Sequence, residues 1–320
     1  MSGRADSQSA HYLVTGGAGF IGSHLVEALA ARGHAVRVLD DLSTGRRENL
    51  TRAAGEVELV IGDIRDLDVC RQACVGIDYV LHHAAKVSVA ESVERPIETH
   101  EVNALGTLKM LTAARDAGCK RLVYAGSASA YGNCEVSPQH EDLPADPLSP
   151  YAIAKHVGEL YCRVFHELYG FETVVLRYFN IFGPRQDPKS PYSGVIARFI
   201  DCLTRGEAPV VQGDGEQTRD FVPVGNVVEA NVLACASPDA AGRVINVGCG
   251  QSMTINRLAE VLIGLTGTTC ICGRAEMRPG DVRYSLADIT RARELLGYEV
   301  MVSPETGLQA TVAWYRDSLR

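Results

Sequence analysis

Short apolar runs alternate with helix-period stretches through the first half of this chain, and this alternation constrains its fold more than any other feature. Runs rich in β-branched residues predict strands, and the amphipathic stretches between them predict helices. Parallel strands need crossover connections, and right-handed crossovers cover both faces of a sheet, so the alternation predicts an α/β, doubly wound parallel sheet. The predicted strands cover residues 12–15, 35–40, 57–61, 79–82, 121–125 and 173–178, and the predicted helices cover residues 21–31, 102–117 and 151–169.

The pattern changes beyond residue 180. Residues 182–193 and 206–215 are rich in glycine and proline, which indicates short elements separated by loops. We therefore predict a main domain over residues 1–179 and a smaller C-terminal domain over residues 180–320. Residues 225–247 form an apolar stretch that can also pack back on the main sheet, and the sequence leaves that alternative open.

Composition narrows the class of partner and the cellular compartment. The net charge of -8 offers no basic face to a nucleic acid, so we expect a small-molecule substrate. No apolar run reaches the about 18 residues that cross a bilayer, and residues 1–10 form a small polar tail without the apolar core of a secretory signal. The ten cysteines lack Cys-x-x-Cys or Cys/His spacing, so we predict reduced, mostly buried thiols, no metal site, and a cytoplasmic location.

A glycine-rich turn follows the first predicted strand. Gly16 permits the tight turn, Gly19 lets a pyrophosphate approach the backbone, and Gly22 lets the following helix pack against the strand. The pyrophosphate would lie at the N-terminus of that helix. Because the triplet sits between a predicted strand and a predicted helix, it predicts a dinucleotide site.

Two carboxylates at strand ends extend this prediction. Asp40 ends the second strand, where it can accept from both adenosine ribose hydroxyls and repel a 2′-phosphate, which favours NAD over NADP. Arg46 and Arg47 follow in the loop, and an arginine there could instead accept that phosphate. Asp63, after the third strand, is placed either to meet the adenine or to cap a helix, and both alternatives stay open.

Tyr151 and Lys155 stand four residues apart on one face of the helix that begins after Pro150. A nearby cation favours the phenolate, so this pair can supply a base near neutral pH. Upstream, Ser127 follows a strand at the sheet edge where parallel sheets bind ligands, and it can hydrogen-bond a reacting hydroxyl. Ser129 is a second candidate, with a turn-forming role as its alternative.

With these residues the sequence resembles the extended short-chain dehydrogenase/reductase family and, within it, the UDP-hexose 4-epimerases. The likeness covers nearly the whole chain. In detail the sequence most resembles the bacterial epimerases that act on UDP-N-acetylglucosamine and related UDP-sugars. It implies a Rossmann domain with a smaller C-terminal substrate-binding domain and the active site in the cleft between them. The segments that carry it, beyond the residues above, are 176–186, 213–215, 218–221 and 278–281.

The resemblance also assigns roles to residues. Tyr151 is the base at the sugar C4 hydroxyl, Lys155 binds the nicotinamide ribose and lowers the tyrosine pKa, and Ser127 assists proton transfer. Further contacts with NAD are implied for Phe20, Ile21, Ile64, Lys86, Asn103 and Tyr178. Contacts with the UDP-sugar are implied for Lys86, Ser129, Asn180, Arg219, Arg278, Asp281 and Ser285, of which Asn180 and the two arginines hold the diphosphate and Asp281 contacts the uridine ribose.

The predicted function is NAD-dependent C4 epimerisation of a UDP-hexose. A 4,6-dehydratase would need an acid and a base where this chain has Ala128 and Ser129, and a UDP-glucuronate 4-epimerase usually has threonine at Asn180. A non-catalytic NAD-binding sensor would tend to lose the Tyr–Lys pair.

Two finer predictions concern the substrate and the assembly. Ser285 matches a gatekeeper position at which a small residue admits N-acetylated sugars and tyrosine restricts the enzyme to UDP-glucose and UDP-galactose. The family usually dimerises through a four-helix bundle, and the helix over residues 151–169 has a broad apolar band, so a homodimer is expected. The apolar residues of that band are Val157, Leu160, Tyr161, Val164, Phe165 and Leu168.

Overall fold

The computed structural model describes residues 9–187, 194–277 and 282–318. Its strands, in chain order, are β1 His11–Thr15, β2 Ala35–Asp40, β3 Val57–Ile61, β4 Tyr79–His82, β5 Arg121–Ser127, β6 Glu172–Tyr178, β7 Asn180–Phe182, β8 Val210–Gln212, β9 Thr218–Arg219, β10 Phe221–Pro223, β11 Val244–Val247, β12 Met253–Thr254 and β13 Gly273–Ala275. Seven of them form one sheet in the order β11-β6-β5-β4-β1-β2-β3. Every pair in this sheet is parallel, so the predicted doubly wound parallel sheet is confirmed.

Helices cover both faces of this sheet. In chain order they are α1 Phe20–Ala31, α2 Leu67–Cys74, α3 Val89–Glu94, α4 Pro96–His100, α5 Thr107–Asp116, α6 Pro150–Tyr169, α7 Val195–Thr204, α8 Val224–Ala236, α9 Ile255–Thr266, α10 Thr290–Leu296 and α11 Pro304–Ser318. The helix expected over residues 102–117 is in fact a π-helical turn, Glu101–Gly106, followed by α5.

One apolar cluster lies on each face of the sheet. The first joins the sheet to α1, α8 and α10, and the second joins it to α2, α5 and α6. Residues 225–247 take part in the first face, because α8 packs on α1 and β11 hydrogen-bonds to β6. The boundary near residue 180 stays a prediction, and the strand at one edge of the sheet comes from beyond it.

Helix α6 begins and ends at residues whose chemistry favours those positions. The Ser149 side chain accepts from the Ala152 amide, Pro150 occupies the first turn, and Gly170 ends the helix in the left-handed region at φ 65°. This start places Tyr151 in the first turn and Lys155 one turn later, beside the end of β5.

The C-terminal part has its own apolar cluster, formed by α7, α9 and α11 around Phe182 and Phe221. Its strands are short and pair two by two: β7 with β10, β8 with β13, and β9 with β12. All ten cysteines are free and six of them are buried. Across the described ranges, we found no helix that is long and apolar enough to cross a membrane.

Candidate active site

The glycine turn after β1 adopts a conformation that requires glycine. Gly16 has φ +67°, and a Cβ atom there would lie 2.8 Å from the Ala84 backbone nitrogen. Gly19 caps α1 without a side-chain hydrogen bond, so the cap residue itself offers no acceptor to the first amides of α1. Such amides and the positive end of the helix dipole suit an anionic group, and the turn therefore fits the pyrophosphate of a dinucleotide. Phe20 and Ile21 form the first turn of this helix and are half-buried.

Asp40 lies at the end of β2 and is tied to this turn. Its carboxylate accepts from the Ala18 amide at 2.9 Å and the Leu42 amide at 2.8 Å. Burial raises the pKa of this carboxyl, and the two backbone hydrogen bonds oppose the rise. Arg46, which the sequence left open as a 2′-phosphate ligand, forms an ion pair with Asp187 at 3.1 Å.

Asp63 and Ile64 follow β3. The Arg65 guanidinium donates to the Asp63 carboxylate at 2.6 Å and lowers the pKa of that carboxyl. The helix that follows, α2, is capped by Asp66, so the alternative that Asp63 caps a helix is wrong. Ile64 belongs to the apolar cluster on the α2, α5 and α6 face of the sheet. Its side chain packs against Gly106 so closely that a Cβ there would lie 2.7 Å from it.

The predicted reacting groups meet at the carboxyl end of β5. The Ser127 hydroxyl oxygen accepts from the Ser129 amide at 3.2 Å and from the Ser129 hydroxyl at 2.8 Å. Burial raises the pKa of Tyr151, and an interaction with the Ser127 side chain opposes this rise. The arrangement links the phenol to a hydroxyl that can pass or hold a proton.

Lys155 is a buried ammonium group that lacks a hydrogen-bond acceptor in the described part of the chain. Its Nζ lies 4.6 Å from the centre of the Tyr124 ring, and its side chain is buried. Burial lowers the pKa of Lys155 to about 8, and Glu159, one turn later, opposes this change. An ammonium group in this position has donors free for ligand hydroxyls, which fits the sugar of a bound dinucleotide. Its predicted effect on the pKa of Tyr151 stays a prediction.

Lys86 and Asn103 are brought together, but their polar groups already have protein partners. The Lys86 ammonium forms ion pairs with Glu91 and Glu98, each at 2.9 Å. The buried Asn103 amide bonds both backbone groups of Lys86, at 2.8 Å each. Asn103 therefore holds the loop after β4 against the π-helical turn, and its predicted contact with the cofactor remains a prediction.

Tyr178, at the end of β6, faces the loop after β4. Its hydroxyl bonds the His83 ring nitrogen at 2.9 Å and accepts from the Asn231 side chain at 2.8 Å. The two rings stack with centroids 5.9 Å apart. Burial lowers the pKa of His83 to about 3, so the imidazole is neutral at physiological pH.

Three of the predicted substrate residues converge in the C-terminal part. Asn180 donates to the backbone oxygen of Asp220, Arg219 precedes Asp220 in the chain, and the carbonyl of Ser285 accepts from the Asp220 amide at 2.8 Å. The predicted residues Arg278 and Asp281 lie outside the described residues. Asp220 was given no role from the sequence, although it belongs to the 218–221 segment that carried the resemblance.

A second feature missed from the sequence is a hydrogen-bond chain below the glycine turn. The ring of His82 bonds Thr15 at 2.7 Å and Thr107 at 3.0 Å, and the Thr107 hydroxyl donates to the Asn103 carbonyl. This chain fixes the ends of β1 and β4 relative to the π-helical turn. A histidine at the end of an apolar strand was the available signal.

Comparisons with known proteins agree with this geometry. Residues 12–248 match the model of the NAD dependent epimerase/dehydratase family. A UDP-glucose 4-epimerase of Mycolicibacterium smegmatis is 40% identical over 309 residues, which are 95% of this chain and 98% of the relative. The solved UDP-glucose 4-epimerase of Thermotoga maritima with UDP-glucose superposes with a TM-score of 0.92 at 40% identity, covering 97% of this chain and 100% of that one.

A further solved structure, the UDP-N-acetylglucosamine 4-epimerase of Methanobrevibacter ruminantium M1 in complex with UDP-N-acetylmuramic acid, gives a TM-score of 0.91 at 39% identity and covers 97% of this chain and 99% of that one. The match to the family model spans the glycine turn, the Ser127–Tyr151–Lys155 group and the edge strand β11. The chain therefore belongs to the NAD-dependent epimerase/dehydratase family, and NAD is its cofactor.

Proposed function

We propose that this enzyme inverts the configuration at C4 of a UDP-hexose. The observation that carries the proposal is the group formed by Ser127, Tyr151 and Lys155 at the carboxyl end of β5, in which the Lys155 ammonium has no hydrogen-bond acceptor among the described residues. The relatives named UDP-glucose 4-epimerase and UDP-N-acetylglucosamine 4-epimerase support the same reaction.

In this proposal Tyr151 takes the proton of the C4 hydroxyl while Ser127 hydrogen-bonds the same oxygen. Lys155 donates to the nicotinamide ribose and keeps a positive charge near the phenol. Bound NAD supplies the hydride acceptor and then the hydride donor. Because epimerisation requires the oxidised sugar to present its other face, the protein must hold the diphosphate firmly and the hexose loosely. Asn180 and Arg219 are proposed to hold the diphosphate, with Arg278, and Asp281 to contact the uridine ribose.

For the substrate, we propose that N-acetylated UDP-hexoses are accepted together with UDP-glucose and UDP-galactose. Ser285 is half-buried, and its carbonyl is held by the Asp220 amide, so its small side chain stands at a fixed place in the C-terminal part. A tyrosine ring at this position would fill space that a C2 acetamido group needs, at a cost of about tenfold to a hundredfold in discrimination.

The test is to incubate the purified protein, without added NAD, with UDP-glucose, UDP-N-acetylglucosamine and UDP-glucuronate and to separate the C4 epimers by chromatography. We expect both neutral sugars to be turned over. Ser285→Tyr should lose turnover of the N-acetylated sugar selectively, whereas Ser318→Tyr, an exposed serine on α11, should not. Equal loss on both sugars, or no turnover of the N-acetylated sugar by the unchanged protein, contradicts the gatekeeper role.

The same panel separates the alternatives. Exclusive turnover of UDP-glucuronate would identify a UDP-glucuronate 4-epimerase, and a 4-keto-6-deoxy product would identify a dehydratase. Ala128 and Ser129 lie in the short 3-10 helix after β5 and offer no acid–base pair for the elimination of water. Binding of NAD without turnover of any sugar would identify a non-catalytic sensor.

We also propose that the enzyme is a homodimer. Helices α3, α4 and α6 pack together with the π-helical turn, and their outer faces expose large apolar side chains. These exposed residues are Val93, Ile97, Leu105, Ile153, Leu160 and Leu168. Analytical ultracentrifugation should give twice the chain mass, and Ile97→Asp should shift it to the monomer. Ile271→Asp, at an even more exposed site in the C-terminal part, should not, and a monomeric unchanged protein contradicts the proposal.

A further inference from the structure

We propose that Asp220 is the positioning residue of the sugar-nucleotide pocket, because its carboxylate and backbone hold together the chain segments that carry Asn180, Arg219 and Ser285. The inference rests on the proposed function for the identity of the ligand. The hydrogen bonds that support it are made within the protein and do not depend on which ligand binds.

The carboxylate joins two segments that are distant in sequence. One oxygen accepts from the Cys249 amide at 2.8 Å, and the other accepts from the Gly250 amide at 3.0 Å and the Ala287 amide at 3.2 Å. The first two amides lie in the turn after β11, at the edge of the central sheet, and the third lies two residues beyond Ser285. The side chain of Asp220 therefore ties the Ser285 segment to the main sheet.

The backbone of Asp220 hydrogen-bonds two further residues of the proposed pocket, Asn180 and Ser285. Its carbonyl accepts from the Asn180 amide at 3.1 Å and from the Asn180 side chain at 3.3 Å. Its amide donates to the Ser285 carbonyl at 2.8 Å. Arg219, the residue before it, lies in a strand of only two residues, and Asn180 begins a strand of three. Strands this short have few ladder hydrogen bonds of their own, so a shared anchor determines their relative register.

The surroundings of this carboxylate indicate a role in fixing backbone. Asp220 is fully buried, and its charge is met by backbone amides in place of a basic side chain. Burying a carboxylate without an ion pair is costly unless hydrogen bonds compensate it. The packing is also close, because a Cβ on Gly248 would lie 2.7 Å from one Asp220 oxygen and closer still to the Ala287 Cβ. A buried carboxylate and a glycine that leaves room for it therefore lie together at the junction of the three segments.

The test is Asp220→Asn in the NAD-containing full-length protein. The asparagine amide nitrogen replaces one acceptor oxygen, so at least one backbone amide faces a donor. We expect the dissociation constant for UDP, measured by calorimetry with UDP alone, to rise about tenfold to a hundredfold. KM should rise by the same factor and kcat should change less than about threefold. NAD content should be unchanged, because the hydrogen-bond partners of Asp220 all lie outside the glycine turn.

Two further variants separate positioning from general stability. Leu262→Ala removes a fully buried side chain from α9 in the C-terminal cluster and removes none of the hydrogen bonds that Asp220 makes. It should lower the melting temperature without changing UDP affinity. Gly248→Ala would place a Cβ 2.7 Å from an Asp220 oxygen and closer still to the Ala287 Cβ, so it should displace the carboxylate and the Ala287 segment that it holds. It should reproduce the effect of Asp220→Asn on UDP affinity, which keeps the test informative if the asparagine variant does not fold.

Hydrogen exchange distinguishes failure of this inference from failure of the proposed function. Amides of residues 180, 220 and 287 should exchange faster in Asp220→Asn than in the unchanged protein, whatever the ligand is. Unchanged exchange, or UDP affinity that falls in Leu262→Ala in proportion to its melting temperature, overturns the positioning role. If the unchanged protein fails to bind UDP while the exchange difference is present, the proposed substrate is wrong and the anchoring by Asp220 stands.

Discussion

The buried ammonium of Lys155 predicts that a conservative substitution will stabilise the fold while removing function. Burial lowers the pKa of Lys155 from its ordinary value of 10.5 to about 8. Each pH unit between these values corresponds to about 1.4 kcal/mol, so a charged Lys155 costs the NAD-free fold about 3 kcal/mol at pH 7. Lys155→Met keeps the length and helix propensity of the side chain and removes the charge. It also loses the contact with the Tyr124 ring, worth about 1 kcal/mol, so the expected gain is about 2 kcal/mol.

The pH dependence of this gain tests its cause. The group is a base whose folded-state pKa lies below its unfolded value, so its cost is complete below pH 8 and disappears as the pH rises towards 10.5. The gain of Lys155→Met should therefore fall below about 1 kcal/mol at pH 10. Denaturant unfolding of NAD-free protein at pH 7 and pH 10 measures it. Lys120→Met, at an exposed surface lysine paired with Asp78, is the control and should change stability by less than about 1 kcal/mol at both values.

A lower free energy of unfolding for Lys155→Met at pH 7 would refute this reasoning, as would a gain of equal size at both pH values. The variant should at the same time retain less NAD and turn over less UDP-sugar, because the ammonium donors that the described structure leaves without an acceptor are gone. Stability and activity would then move in opposite directions at a single residue, as expected where a buried charge is maintained for function.

Tyr151→Phe should reduce turnover at least about a hundredfold with fold and NAD content unchanged, because it removes only the hydroxyl proposed to take the C4 proton. Chromatography of the epimers and the NAD absorbance of purified protein measure this, and a near-normal rate contradicts the mechanism. Asp40→Ala should weaken NAD retention and relax discrimination against NADP, because it frees the Ala18 and Leu42 amides and removes the negative charge at the ribose position. Competition between the two cofactors measures it, and unchanged retention with unchanged discrimination would show that Asp40 is the wrong residue.

The central sheet could be predicted from sequence because its signals are local. Apolar β-branched runs bounded by breakers identified six of its seven strands, and Pro150 marked the start of α6. The sequence left the seventh strand, β11, as an open alternative because its place in the sheet depends on hydrogen bonds to β6. The paired residues Val175 and Val244 are 69 residues apart in the chain. The strands of the C-terminal part have two to four residues, too few for periodicity to reveal them.

The candidate site divides in the same way. The glycine turn and the Tyr151–Lys155 spacing are sequence-local, and the structure brings them to the same edge of the sheet. The engagement of Lys86 by Glu91 and Glu98 was missed, since these acids lie on helices whose packing the sequence does not specify. The role of Asp220 was missed because three of its partners are contributed by segments about 30 to 70 residues away.

Which of the predicted residues can contribute binding energy depends on whether their polar groups are already satisfied by the protein. Among the described residues, the ammonium of Lys155 has no hydrogen-bond acceptor and the N-cap of α1 gives its first amides no side-chain acceptor, so a ligand that meets these donors gains hydrogen bonds without displacing protein partners. The amide of Asn103 and the ammonium of Lys86 are satisfied, so a ligand that displaces their partners gains little net energy. Affinity for NAD should therefore come mainly from the α1 amides and Lys155, while Asn103 determines where the loop after β4 lies and Asp220 determines where the segments around the UDP-sugar lie.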